Sequence, residues 1–432
     1  MPNNVVNIIG AGLAGSEAAL YLAARGVKVN LYEAKPLWFS PAHSKPDFAE
    51  IVCSNSLKST VATTASGTLK NELDILGCRL LGFARKVSVP AGSALAVDRD
   101  GFSALVTEAV REQPNITVID KIVTEIDTDD LTIVCAGPVC HDRLAQSLRA
   151  ITGEQSLHFF DAAAPIITAE CVDYTSAFFG ARYGKGEDDY LNCPMTKDEY
   201  LQFYNALVTA ERAVDKVGGV FEGCMPVEVM AARGEDALRF GPLRPVGFRD
   251  AGGGKRPYAV LQLRRENAEG TLFNLVGFQT NLKFGEQKRV FSLIPALKNI
   301  EIVRYGVMHR NTFVNAPRAL NADLRLKAAP NVFVAGQLCG VEGYVESIAA
   351  GLLAAVNAHR LLVGKATVVP PENTVLGALM KYITTPNADF QPMNANFGIL
   401  PMIDGVKKTE RKQAYYDRSD ACMRDWIKNI DF

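Results

Sequence analysis

The segment Gly10-Ala11-Gly12-Leu13-Ala14-Gly15 constrains this chain more than any other, because it joins an apolar run at residues 5–10 to a helical pattern at residues 14–25. Gly26 ends that helix, and residues 27–33 alternate as a second strand, so residues 5–33 read as one β-α-β unit. In such a unit Gly10 permits the tight turn, Gly12 lets a pyrophosphate approach the backbone, and Gly15 lets helix and strand pack closely. The helix N-terminus offers its unpaired N–H groups to phosphate. Glu33 closes the second strand and is placed to accept from a ribose hydroxyl, which favours an adenosine ribose without a 2′-phosphate, as in FAD or NAD.

The same style recurs twice. A helix over residues 102–111 leads to strands at 116–123 and 131–134, the latter entering Cys135-Ala136-Gly137-Pro138. From about residue 150 the pattern turns to short mixed segments, with a helix within residues 189–217 and strands at 259–263 and 272–278. At residues 331–335 a strand again meets a glycine turn, Gly336-Gln337-Leu338-Cys339-Gly340-Val341-Glu342-Gly343-Tyr344, before a helix over 345–362. Gly336 and Gly340 expose backbone amides there to a second part of a long cofactor, which favours FAD over NAD. The expected architecture is α/β: a discontinuous Rossmann-like FAD-binding domain of residues 1–149 and 305–432, interrupted by an α+β domain of residues 150–304. Pro370-Pro371 opens a C-terminal appendage.

Composition narrows the class. No stretch approaches the roughly 18 apolar residues of a membrane span, and the first segment lacks a basic start and a cleavage site, so a soluble cytoplasmic protein is expected. The nine cysteines are odd in number and scattered without a C-x-x-C pair, which indicates neither a disulfide framework nor a metal site. A net charge of -1 argues against indiscriminate coating of nucleic acid. Yet residues 233–310 hold 14 Lys and Arg against 7 Asp and Glu, which is either a solvated face or a phosphate-binding surface.

Two cysteines stand among unusual neighbours. Cys53 lies in Glu50-Ile51-Val52-Cys53-Ser54-Asn55-Ser56-Leu57-Lys58-Ser59, where polar groups and a lysine could stabilise a thiolate, and Cys224 lies between Gly223 and a Met225-Pro226 turn. A thiolate is the usual nucleophile toward C6 of a pyrimidine; addition there makes C5 nucleophilic, and a second group must later remove the C5 proton. The residues alone leave both cysteines as candidates.

The segments Cys53-Ser54-Asn55-Ser56-Leu57, Ala96-Val97-Asp98-Arg99, Gly223-Cys224-Met225-Pro226-Val227-Glu228, Leu238-Arg239-Phe240-Gly241-Pro242, Lys255-Arg256-Pro257-Tyr258, Val276-Gly277-Phe278-Gln279-Thr280, Tyr305-Gly306-Val307-Met308-His309-Arg310-Asn311, Glu342-Gly343-Tyr344-Val345-Glu346 and Gln391-Pro392-Met393-Asn394-Ala395-Asn396-Phe397-Gly398 resemble, in order, the folate- and FAD-dependent tRNA (uracil-5-)-methyltransferases. The resemblance covers nearly the whole chain. Ser93 stands where a further glycine is expected, and Leu338-Cys339 is unusual before Gly340.

The resemblance implies methylation at C5 of the T-loop uridine of tRNA, with carbon from methylenetetrahydrofolate and electrons from reduced FAD, regenerated by NADH or NADPH. It also implicates both cysteines, with Cys224 assigned as the C6 nucleophile and Cys53 as the partner near the flavin. His309 would stack on the pterin of the folate, and Glu342 or Glu346 would pair with its N–H edge. The basic segment, Lys255, Arg256, Lys283, Lys288 and Arg289 above all, becomes a path for tRNA phosphates in an RNA-binding inserted domain. No protein partner is implied. The alternatives are the same chemistry on ribosomal RNA and a noncatalytic flavin-dependent RNA-binding factor. The related wobble-uridine enzymes are longer, with an extra C-terminal helical domain.

Overall fold

The computed structural model describes residues 4–154, 157–184, 189–213, 225–248, 256–388 and 390–430. Five parallel strands form its first sheet, in the order Val332–Val334, Thr132–Val134, Val5–Ile9, Lys28–Glu33, Ile116–Asp120. Val5 pairs with Lys28 and Ile9 with Tyr32, so the strand carrying the glycine turn lies in the middle of the sheet. Its apolar run follows from burial on both faces. The sheet pairs residues 200 positions apart, Val334 with Val134, which brings the Gly336 turn beside the Gly10 turn.

Small residues hold this juncture together. The helices Leu13–Ala23 and Tyr344–Leu362 cross closely over the sheet. A Cβ on Gly15 would lie 1.9 Å from the Gly10 carbonyl oxygen, and one on Gly351 would lie 2.2 Å from that of Ala14. Two fully buried carboxylates anchor neighbouring helices by their N-termini. Glu17 accepts from Arg79 N (2.9 Å) and Leu80 N (2.8 Å), and Glu72 accepts from Val375 N (2.6 Å) and Leu376 N (2.8 Å). Each satisfies amide donors that a helix start leaves open.

A second sheet of six antiparallel strands runs Phe178–Phe179, Tyr190–Met195, Ala259–Arg265, Leu272–Leu275, Ile166–Thr168, Ile302–Arg304. The helices Lys197–Val208, Val227–Ala231 and Phe284–Phe291 supply residues to its own apolar core, which draws on residues 167–300. The first core draws on residues 6–148 and 313–423. Between the two lies the ladder Leu157–Ala162 with Met308–Phe313, in which His309 faces Asp161 in register.

Several elements escape the sequence patterns. The three short strands Ser56–Ser59, Ala94–Val97 and Ser88–Val89 form a small antiparallel sheet whose members are too short to show a period. The segment after Pro370 packs on the first core. Its helices Val375–Thr384 and Arg411–Asn429 dock on the helix Ala65–Ile75 and bury Leu379, Met380, Tyr415 and Met423 in the first core. No helix among the described residues is long and apolar enough to cross a membrane.

Candidate active site

The glycine turn is built for an anion. Gly12 is the N-cap of the helix Leu13–Ala23, no side chain caps that helix, and its first turn holds no acidic residue. A Cβ placed on Gly12 would meet nothing within 4 Å, so open space lies over the helix dipole where a pyrophosphate would approach. Glu33 sits at the edge of this space, 7% exposed; one carboxylate oxygen accepts from Ala11 N (2.7 Å), the other from Lys35 N (3.0 Å). These bonds fix its orientation and leave lone pairs for a ribose hydroxyl. The residues therefore fit the adenosine and pyrophosphate portion of FAD.

A cavity of about 190 Å³ begins at Gly10, Gly12 and Glu33 and passes Cys135 and Gly336. Its other end is lined by Cys53, Asp161, His309 and Tyr344. The strand-turn-helix at residues 332–362 thus delivers Gly336 to the cofactor turn and Tyr344 to the cysteine, as its position beside the first β-α-β unit requires.

Cys53 is tied to Tyr344. Its sulfur lies 2.9 Å from the phenolic oxygen, which also accepts from the amides of Val52 (3.1 Å), Cys53 (2.9 Å) and Ser54 (3.3 Å). Burial pushes the Cys53 thiol up to about 12, with Asp161 adding to the effect and the Tyr344 hydrogen bond opposing it. The expectation that a neighbouring lysine stabilises a Cys53 thiolate is therefore corrected. The Lys58 ammonium pairs with Glu346 at 2.8 Å instead. Cys53 rests as a neutral thiol.

The acids nearby are themselves unusual. Burial, reinforced by Asp161, pushes Glu342 up to about 8, while its bond from the Gln337 side-chain amide acts in the opposite sense. Glu346 is wholly buried; one oxygen takes Lys58 and the Ala395 amide (3.0 Å), and the other has no hydrogen-bond partner. That second oxygen would lie 2.2 Å from a Cβ on Gly343, whose φ of +121° suits glycine in any case. His309 is held near pKa 4 by burial and then by Arg304, so its imidazole is neutral, and its Nε2 is buried without a hydrogen-bond partner. The orphaned ring nitrogen of His309 lines the cleft and is what a site for a polar heterocycle leaves open, whereas neither Glu342 nor Glu346 is among the residues that line it.

Other expected residues fall elsewhere. Cys224 and Lys255 lie outside the described residues. The chain after Cys224 is anchored: Val227 N donates to the Gln279 carbonyl (2.7 Å), while Glu228 accepts from Thr280 Oγ1 (2.9 Å) and Asn281 N (2.8 Å). Arg256 and Lys288 are exposed. Lys283 pairs with Glu211 at 2.7 Å, and Arg289 with Glu286 at 2.6 Å, so these two basic groups each carry an acidic neighbour. Arg264, grouped by its charge with the phosphate path, is only 6% exposed and points at Ser54 and Asn55, out of reach of a phosphate in solvent. Sequence reasoning assigned no role to Tyr344, Asp161 or Arg99. Tyr344 and Arg99 stand in segments that carry the resemblance, but their contacts with the Cys53 loop span long stretches of chain and leave no local pattern.

A parallel sheet with a glycine turn at its centre, a free helix N-terminus and a terminal acid defines a dinucleotide-binding flavoprotein. The model of the family called Glucose inhibited division protein A matches residues 5–366. A methylenetetrahydrofolate-tRNA-(uracil-5-)-methyltransferase TrmFO of Acetivibrio thermocellus is 54% identical over 414 residues, covering 95% of each chain. The protein of the same description from Bacillus cytotoxicus is 51% identical over 433 residues, 99% of this chain and 100% of that one. The solved structure of Aquifex aeolicus GidA superposes with a TM-score of 0.72 at 15% identity, over 98% of this chain and 73% of that one, a likeness of fold. The chain belongs to the TrmFO family of methylenetetrahydrofolate-tRNA-(uracil-5-)-methyltransferases.

Proposed function

We propose that this protein methylates uridine at C5 in tRNA, taking the carbon from methylenetetrahydrofolate, with FAD as its bound cofactor and the T-loop uridine as its target. The observation that carries this reading is one cleft whose lining holds the FAD-type glycine turn, Cys53 and a neutral His309. FAD supplies electrons to the transferred carbon when bound, and NADH or NADPH restores them.

The chain's own residues hold and orient. Gly10, Ala11, Gly12 and Gly15 shape the pyrophosphate turn and Glu33 takes the adenosine ribose, while Gly336 presents backbone to the rest of the cofactor; Gly340, expected to share that role, has its N–H on the Gln337 carbonyl and its own carbonyl on Met393 N, and packs on Phe390. His309 offers an uncharged ring face to a pterin, and Glu342 or Glu346 receives its N–H edge. Of the two acids Glu346 suits this role better: it holds an open acceptor, whereas Glu342 is pushed toward its protonated form. Cys224 adds to C6 of the uracil. Cys53, a neutral thiol at rest, serves as the second group near C5 and the flavin, where loss of its proton fits it to receive the C5 proton. Arg256, Lys283, Lys288, Arg289 and Lys255 steer RNA phosphates. The setting is cytoplasmic, and the reaction calls for no protein partner.

The test is to supply methylenetetrahydrofolate labelled in its methylene carbon together with unmodified tRNA and unmodified ribosomal RNA in parallel. Label in C5 of the T-loop uridine is expected. Label in ribosomal RNA alone would move the target, and a yellow protein that labels neither would remove the enzyme reading.

A further inference from the structure

Residues 51–55, which carry Cys53, are gripped from three directions. Arg99 sends one guanidinium nitrogen to the carbonyls of Ile51 and Val52. Tyr344 takes the amides of Val52, Cys53 and Ser54. The third grip comes from the antiparallel sheet, where Arg264 donates through Nε to Asn55 Oδ1 (2.8 Å) and through Nη2 to Ser54 Oγ (2.9 Å). Asn55, wholly buried, returns its amide to the carbonyls of Val97 (3.0 Å) and Arg265 (2.9 Å). Glu266, just past the end of that strand, completes the junction by taking Arg99 Nε at 2.7 Å.

We infer that Arg264 is a positioning residue which fixes the Cys53 loop from the inserted sheet, and so sets where the Cys53 sulfur stands in the cleft. The chemistry of the contact is the argument. A guanidinium buried to 6% exposure, bonded to the Ser54 hydroxyl, the Asn55 amide and Tyr190, with the Glu266 charge near but engaged by Arg99, is costly to keep. A leucine or methionine would pack such a position at lower cost. What the arginine adds is a rigid fork whose two arms reach adjacent residues of one loop, a geometry that lysine does not have. The strand bearing it belongs to the second apolar core, whose neighbouring residues Leu261 and Leu263 are fully buried, whereas Cys53 lines the cofactor cleft. A shift of that sheet is therefore transmitted to the loop through the two Arg264 hydrogen bonds, the bond from Asn55 to the Arg265 carbonyl and the Arg99–Glu266 pair.

The inference rests on Cys53 acting in the proposed reaction, but its first readout needs neither RNA nor folate. In the FAD-bound protein, the rate at which methyl methanethiosulfonate modifies Cys53 is followed by peptide mass from pH 6 to 10 for wild type, Arg264→Gln, Arg264→Lys and Ser54→Ala. The charged and titratable groups facing the sulfur are Asp161, Tyr344, Glu342 and Arg99, all unchanged in these variants. The pH profile is expected to shift in Arg264→Gln and Arg264→Lys alike, and in the same direction, more weakly, in Ser54→Ala. Single-turnover methyl transfer should fall by about a hundredfold in Arg264→Gln with little change in RNA KM, as a displaced reacting group produces. A lysine variant with the wild-type profile would overturn the fork geometry. A wild-type profile in a folded Arg264→Gln, or in Ser54→Ala if Arg264→Gln does not fold, would overturn the positioning role. A shifted profile without methyl transfer by the wild type would leave the positioning standing and sink the proposed reaction.

Discussion

The phenolic oxygen of Tyr344 lies 2.9 Å from the sulfur of Cys53 across 291 positions of chain, and three successive backbone amides converge on that same oxygen. With those amides filling its acceptor capacity, the phenolic hydrogen is directed to the sulfur. The bond favours the thiolate against burial and Asp161, which both favour the thiol. Tyr344→Phe should therefore raise the Cys53 pKa further and slow its alkylation at pH 9 by about tenfold, one pKa unit for one lost hydrogen bond. Thermal melting would be run alongside, because three amides lose their acceptor. Faster alkylation in Tyr344→Phe would show that the hydroxyl shields the sulfur without activating it.

Two glycines of one motif are expected to fail in different ways. Gly15→Ala puts a methyl group 1.9 Å from the Gly10 carbonyl, so the helix must move off the sheet and melting should fall by about 2 kcal/mol or more. Gly12→Val points into open space and should leave the melting of the apoprotein nearly unchanged while flavin is lost. Glu33→Ala removes the acceptor of the Ala11 and Lys35 amides and should also weaken flavin. The check is the ratio of bound flavin to protein after dialysis, set against apoprotein melting. Full flavin occupancy in both Gly12→Val and Glu33→Ala would mean that the cofactor lies elsewhere.

Stability should carry a signature of Glu72. Burial raises its carboxyl to about 7, against the amides of Val375 and Leu376 and the Ser419 hydroxyl, which lower it. A folded pKa above the unfolded value of 4.5 means that the contribution is fully present below pH 4.5 and is lost as pH rises through 7. The melting advantage of wild type over Glu72→Gln should shrink across that window by an amount on the order of 3 kcal/mol. Glu17, also raised by burial, is present in both proteins and cancels. A difference independent of pH would show that Glu72 is ionised throughout.

The glycine turn, the acid at residue 33 and the return of the parallel sheet near residue 332 were legible because each lies within one short stretch whose pattern has a physical reason. Helix boundaries moved by one to three residues: 14–25 became Leu13–Ala23, and 102–111 became Arg99–Arg111, capped by Asp98 accepting from Gly101 N. The surroundings of Cys53 were not legible. Lys58 is five residues away in sequence yet turns to Glu346, and the partner that does touch the sulfur comes from a helix 291 positions later. Local composition marks polar neighbours, but which of them faces the sulfur depends on tertiary packing. The charge of residues 233–310 misled for the same reason at Arg264, whose burial no periodicity announces.

The last prediction separates the two cysteines. A nucleophile for C6 must reach its thiolate form readily, and Cys53, pushed up to about 12, does so poorly before the substrate and cofactor are in place. In the proposed reaction the addition is accordingly assigned to Cys224, and Cys53 to the proton at C5, a step that comes after substrate and cofactor are in place. With 5-fluorouridine at the target position there is no C5 proton to remove, so the reaction should stop with RNA covalently joined to the enzyme through the sulfur bonded to C6. Denaturing electrophoresis with labelled RNA would show that adduct as a slow band. It is expected in wild type and in Cys53→Ala, with a yield lowered by no more than about tenfold in the latter because proton removal follows addition. It should vanish in Cys224→Ala. The opposite pattern would exchange the two roles, and full methyl transfer in both single variants would refute a thiol mechanism in this cleft.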